Sequence, residues 1–181
     1  MVSKKSTSVF GLLAMNKFSY EQGELLAEAF NRWHVEYLFI GKSGAIFYGF
    51  PETTQDADIF PAKNPANGQK LISALRELGY NLTPEIEQDL IAGKDFVQLR
   101  GGLFDLDLVF APDGIETFAE AQSRSLLIDG KFPVASLDDI IASKRAANRQ
   151  KDRESLPRLE AFRDYLRSRN LIALPTNPSK S

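Results

Sequence analysis

Apolar positions along this chain fall into blocks that switch between helical and strand spacing. Leu25, Leu26, Ala29, Phe30 and Trp33 recur at three- and four-residue steps, which predicts an amphipathic helix over residues 20–33. Tyr37-Leu38-Phe39-Ile40 is a short apolar run stopped by Gly41, and it predicts a strand. Residues 44–48 then predict a short buried helix closed by Gly49. Past the turn at residues 51–54, Asp56-Ala57-Asp58-Ile59-Phe60 alternates acidic with apolar positions and predicts a strand with both carboxylates on one face. A helix is expected over residues 67–78. Two strands, residues 95–99 and 103–110, flank Arg100-Gly101-Gly102, where glycines can take positive φ in a hairpin.

The last third predicts a helix over residues 115–122, then a small hairpin formed by residues 125–128 and 132–134 around Asp129-Gly130. A helix over about residues 136–145 opens with Ser136 and Asp139 in a capping-box-like spacing. Another, over about residues 156–168, sets Leu159, Phe162 and Leu166 on one face. Strands interleaved with helices and hairpins imply an α/β domain with a mixed sheet of about five strands flanked by helices. The folded body is expected at residues 16–172, between a flexible N-terminal segment, 1–15, and a flexible tail, 173–181, both rich in Ser, Thr, Lys or Pro.

Composition narrows the chemistry. A length of 181 residues, 43% hydrophobic and 25% charged, suits one globular domain, and no internal repeat divides it. With no cysteine, disulfides, thiolate ligands and a thiol nucleophile are excluded. A net charge of -2 argues against coating nucleic acid by bulk charge, and the apolar stretch at residues 9–15 is too short for a membrane segment, so the cytoplasm is the expected location. His34 is the only histidine, which leaves little support for a zinc site or a serine–histidine triad.

Aspartate is depleted in strands, yet two apolar strands here each carry a pair, Asp56 with Asp58 and Asp105 with Asp107. If the strands are neighbours, up to four carboxylates converge, and a bound divalent cation is the economical way to hold them. Oxygen ligands favour Mg²⁺ or Mn²⁺. The plain alternative is ordinary alternation on a solvent-exposed face. Upstream, Gly41-Lys42-Ser43-Gly44 lies between a strand and a helix, where backbone N–H groups can hold phosphate oxygens, although turn glycines explain it as well. A P-loop is excluded, because the first glycine of that motif is missing. Lys144, Arg145, Arg149, Lys151 and Arg153 form a basic cluster that a solvated helix end also explains. Phe47, Tyr48, Phe50 and Phe60 read as core rather than as a base-stacking surface.

Residues 39–59, running from Phe39-Ile40-Gly41-Lys42-Ser43-Gly44 to Asp56-Ala57-Asp58-Ile59, resemble without a gap the signature of the DNA-polymerase-β-like nucleotidyltransferase superfamily. The resemblance extends over most of residues 35–165 and is nearest to small bacterial nucleotidyltransferase-like proteins, some of them toxin components of toxin–antitoxin or abortive-infection systems. It implies a minimal nucleotidyltransferase fold. It also implies metal-dependent transfer of a nucleoside monophosphate from a nucleoside triphosphate to an acceptor hydroxyl on RNA, protein or a small molecule. Asp56 and Asp58 would be metal ligands, and the third carboxylate matches Asp107 best and Asp105 second. Gly41, Lys42 and Ser43 would lie at the nucleotide, and Lys144 and Arg149 would face its phosphates. An antitoxin-like partner is a further expectation. Two positions depart from the pattern: Lys42 stands where relatives have a second glycine or serine, and Glu52 where an arginine is common. These departures favour the rival reading, a non-catalytic binding or partner-interaction module on the same fold.

Overall fold

The computed structural model describes residues 17–172. Within them the elements run α1 (Tyr20–Arg32), β1 (Tyr37–Phe39), α2 (Gly41–Phe47), β2 (Asp56–Pro61), α3 (Pro65–Glu77), α4 (Pro84–Ala92), β3 (Phe96–Leu99) and β4 (Asp105–Val109), then α5 (Phe118–Arg124), β5 (Leu126–Ile128), β6 (Phe132–Val134), α6 (Leu137–Ala147) and α7 (Gln150–Ser168). The ends expected to be flexible, 1–15 and 173–181, lie outside the described residues.

The six strands form one mixed sheet in the order β3-β4-β2-β1-β6-β5. β2 pairs in parallel with β4, and β1 with β6, while the remaining three pairings are antiparallel. The sheet has one strand more than the five or so expected. The β5–β6 hairpin, expected from the sequence, joins the same sheet beside β1; its strands are only three residues long and close through Asp129 and Gly130, both at positive φ.

Two helical layers cover this sheet unequally. On one face Tyr37, Phe39, Ala57, Ile59, Leu106 and Leu108 pack against Leu26 and Phe30 of α1 and Leu71, Ile72 and Leu75 of α3. On the other, Leu38, Ile40 and Phe60 meet Leu137, Ile140 and Ile141 of α6 and Leu159 and Leu166 of α7. That second layer lies over the β1 end of the sheet. The start of β2 and the body of β4 instead present aspartates on this face, and a cleft opens there.

Local sequence explains most element boundaries. Ser19 and Gln22 close a reciprocal capping box on α1, and Asn64 caps α3 with Pro65 in its first turn. The sequence pattern missed α4. Its only buried residue is Leu90, so it carries almost no amphipathic signal, although Thr83 as N-cap, Pro84 in the first turn and Gly93 in the left-handed C-cap mark its ends. α7 begins six residues before the expected start, with Pro157 inside it rather than in its first turn. α2 begins at Gly41 rather than at Gly44.

Asn67, buried on α3, ties the two central strands to that helix. Its amide donates to the Glu36 carbonyl at 3.0 Å and the Ala62 carbonyl at 2.9 Å, and its oxygen accepts from the Glu36 N–H at 2.8 Å. The entry to β1 and the exit from β2 are thereby held together, which satisfies backbone groups beyond the ladder.

Candidate functional site

Side-chain alternation puts Asp56 and Asp58 on one face of β2, and Asp105 and Asp107 on one face of β4. The parallel pairing aligns Asp56 with Asp105 and Asp58 with Asp107, so four carboxylates form a two-by-two array on neighbouring strands. The residues between them, Ala57, Ile59, Leu106 and Leu108, are fully buried on the opposite face and hold that orientation. A one-residue slip would bury the acids and expose the leucines, so the core enforces the register.

A cleft of about 610 Å³ lies over this array. Asp56, Asp58 and Asp107 line it together with Gly41, Lys42, Lys144, Arg149 and Lys151. Asp105 is not among the lining residues: its side chain is 45% exposed, against 14% for Asp107. Of the two acids on β4, Asp107 therefore faces the cleft and Asp105 sits at its outer corner.

Burial, followed by the charges of Asp56 and Asp107, raises the pKa of Asp58 to about 7, against the opposing pull of Lys144 and Lys151. Burial also raises Asp107, although a hydrogen bond from Gln98 and the charge of Arg100 act the other way. These carboxylates are short of positive charge, and that shortage is what a divalent ion would relieve.

Gly41 sets the position of Asp58. It adopts φ +60°, and a Cβ on it would stand 2.4 Å from Asp58 Oδ2. Only glycine both takes this conformation readily and leaves room for the carboxylate. Ser43 lies just below the cleft floor and is buried. Its hydroxyl accepts from the Asp58 N–H at 2.9 Å and donates to the Ile40 carbonyl at 3.1 Å. Among the residues expected at the nucleotide, Gly41 and Lys42 reach the cleft, while Ser43 braces the β1–α2 junction against β2.

The cations are paired in ways that the sequence did not show. Lys42 Nζ lies 2.8 Å from Glu52 Oε2, and Arg158 Nη2 lies 2.7 Å from Glu52 Oε1. The two departures from the family pattern thus contact one another. Lys144 and Arg149 both approach the fully buried Asp152, at 3.2 and 2.7 Å, which aligns them along one side of the cleft. Lys151 lines the same wall, whereas Arg145 pairs with Glu160 and Arg153 donates to the Asn148 carbonyl. The aromatics Phe47, Tyr48, Phe50 and Phe60 pack inside: Phe47 stacks on Phe132 with centroids 4.2 Å apart, and the Tyr48 hydroxyl donates to the Ala135 carbonyl. His34 is exposed on a turn at φ 54° and does not line the cleft.

Arg100, which the sequence marked only as a turn residue, holds the array together. Its Nη2 is 2.9 Å from Asp107 Oδ1 and 3.6 Å from Asp56 Oδ2, and its Nε is 3.6 Å from Asp105 Oδ2. Gln98 adds a hydrogen bond to Asp107 Oδ1 at 3.1 Å. Its position directly before Gly101-Gly102, next to an Asp-x-Asp strand, was the available signal. Among the described residues, no three Asp, Glu, His or Cys side chains form a ready-made metal cage. The donors are carboxylate oxygens, the kind that Mg²⁺ or Mn²⁺ takes, and in this structure a guanidinium is the positive group they share.

No family model matches the chain, and neither does any curated protein. Among solved structures it is similar to the antibiotic-resistance factor ANT(2'')-Ia, with a TM-score of 0.53 and 18% sequence identity over 85% of this chain and 95% of that one. That neighbour has a nucleotidyltransferase fold, and the likeness, with the six-stranded mixed sheet flanked by helices, shows that this chain has the nucleotidyltransferase fold as well.

Proposed function

We propose that the chain is a divalent-metal-dependent nucleotidyltransferase that transfers a nucleoside monophosphate from a nucleoside triphosphate to an acceptor hydroxyl, with release of pyrophosphate. The observation that carries this reading is the in-register array: Asp56, Asp58 and Asp107 face one cleft whose other wall bears Lys144, Arg149 and Lys151. Carboxylates on one side suit an ion, and cations on the other suit a phosphate chain.

When bound, Mg²⁺ or Mn²⁺ would supply Lewis-acid stabilisation of the negative charge on the phosphoryl and leaving-group oxygens. Asp56, Asp58 and Asp107 would hold it. Asp107 would also accept the proton of the attacking hydroxyl. The oxygen freed of that proton bonds to the α-phosphorus as the bond to the pyrophosphate oxygen breaks. Lys144 and Arg149, aligned by Asp152, face the departing phosphates. No helix among the described residues is long and apolar enough to cross a membrane.

Labelled nucleoside triphosphates offered with Mg²⁺ or Mn²⁺ to RNA, protein and small-molecule acceptors test the reading. An antibiotic panel belongs in the screen because the structural neighbour is an antibiotic-resistance factor. Transfer of label with release of pyrophosphate is the expected result; absence of metal-dependent nucleotide binding would leave only the non-catalytic module. The narrower toxin reading expects growth arrest on expression, relieved by Asp107→Asn.

Lys42 supplies a second test. Held 2.8 Å from Glu52 at the cleft, its ammonium can reach a triphosphate oxygen. Lys42→Ala is expected to weaken nucleotide binding about tenfold, equivalent to about 1.4 kcal/mol, while Glu52→Gln leaves binding unchanged or tighter by releasing the lysine. Calorimetry with Mg²⁺ decides. Tighter binding by Lys42→Ala would mean that the lysine blocks the cleft.

A further inference from the structure

Arg100 stands immediately after β3, at the entrance of the hairpin that leads into β4. The antiparallel register of these strands pairs Gln98 with Asp107 and Leu99 with Leu106, which brings Arg100 beside the acid array. Its guanidinium contacts three of the four carboxylates, most closely Asp107 at 2.9 Å. Gln98 donates to the same oxygen, Asp107 Oδ1, against which the Arg100 guanidinium is paired. A divalent ion held by Asp56, Asp58 and Asp107 has to compete for that oxygen and meets a like charge at the same place.

The hairpin separates a fixed backbone from a side chain that can swing. A Cβ on Gly102 would lie 2.3 Å from the Tyr80 ring, and the Tyr80 hydroxyl donates to the Phe104 carbonyl at 2.6 Å, so this part of the turn is packed down. The Arg100 side chain is 37% exposed, and its neighbour Gly101 borders open space. Rotation about the arginine χ angles can carry the guanidinium off the array with no movement of the strands.

We propose that Arg100 is a built-in counter-cation of the acid array which exchanges with the divalent ion, and that this exchange sets the metal concentration at which the cleft fills. The inference rests on the metal-dependent reading above and adds its regulation. In the metal-free protein Arg100 compensates Asp56, Asp105 and Asp107. In the loaded protein the ion takes over that compensation and the guanidinium turns outward, where its charge is available to an anionic substrate.

Calorimetric titration of Mn²⁺ into the full chain, with Asp58→Asn as the control for the site, tests this. Arg100→Ala is expected to bind Mn²⁺ about tenfold more tightly than wild type and to melt at a lower temperature in chelator, with the difference narrowing at saturating Mn²⁺. Arg100→Lys, which keeps the charge but loses the planar fork, should fall between the two. Equal or weaker Mn²⁺ binding by Arg100→Ala, with wild-type binding still abolished by Asp58→Asn, overturns the exchange and leaves the metal reading standing. Absence of Mn²⁺ binding in wild type and Arg100→Ala alike overturns both. Should Arg100→Ala not fold, the Arg100 Nε–H signal of the ¹⁵N-labelled wild type decides. It should move as Mg²⁺ is added, and a signal that stays still while Asp58-dependent binding proceeds overturns the proposal.

Discussion

If the proposed function holds, Asp58→Asn is expected to abolish stabilisation of the protein by Mn²⁺ and to lower nucleotidyl transfer on the order of a thousandfold, because a metal-ion contribution of several kcal/mol to the transition state would be lost. The same substitution should raise the melting temperature in chelator. Asp58 is buried beside Asp56 and Asp107, and its pKa is raised from an ordinary 3.8 to about 7. Because the folded state favours the protonated form, the stability this group contributes is present below about pH 4 and is lost as pH rises through about 7. In chelator, wild type and Asp58→Asn should therefore melt alike near pH 4 and diverge by several degrees at pH 8, with the variant the more stable. Saturating Mn²⁺ at pH 8 should reverse the order. Scanning calorimetry across pH, with and without metal, checks both halves; a variant that gains the same Mn²⁺ stabilisation as wild type would place the ion elsewhere.

Gly41→Ala is expected to damage the site and the fold together. The φ of +60° alone costs a non-glycine residue roughly 1–2 kcal/mol. The added methyl would also stand 2.4 Å from Asp58 Oδ2, so either the carboxylate or the start of α2 must shift. Ser43 resists that shift by binding the Asp58 N–H and the Ile40 carbonyl at once. The expected result is a melting temperature lower by several degrees, with loss of most of the Mn²⁺ stabilisation, since displacement by even a fraction of an ångström spoils a ligand set. Gly49→Ala is the matching control. It also replaces a glycine at positive φ, +94°, but with nothing within 4 Å of the new methyl. If Gly41→Ala loses no more metal response than Gly49→Ala, the close approach to Asp58 does not matter.

The sequence was most legible where the pattern is local. Asp-x-Asp between apolar residues sets the side-chain face without knowledge of any neighbour, because strand side chains alternate with period two. Both acidic strands were readable in that way, and local turn and stop glycines marked the hairpin between β3 and β4 and the helix after β1. α4 was not, because one buried residue in nine leaves no periodicity to read. The start of α7 was hidden for another reason: a proline favours the first turn of a helix, but here Pro157 is carried in the interior of one that begins at Gln150.

By itself, then, the sequence indicated an α/β domain with a mixed sheet, a pair of acids on one face of each of two strands, and a glycine after the first strand. Tertiary structure alone decided which residues those acids meet. The parallel pairing of β2 with β4 sets Asp58 level with Asp107 and turns Asp105 to the outer corner. The β3–β4 register brings Arg100 over the array, and chain packing joins Lys42 and Arg158 through Glu52 and Lys144 and Arg149 through Asp152. The reason is physical: a strand's own alternation specifies a face, whereas charge compensation acts through space, and which acid each cation reaches depends on how turns and strands fold back, as in the approach of Arg100 to Asp56 and of Arg158 to Glu52.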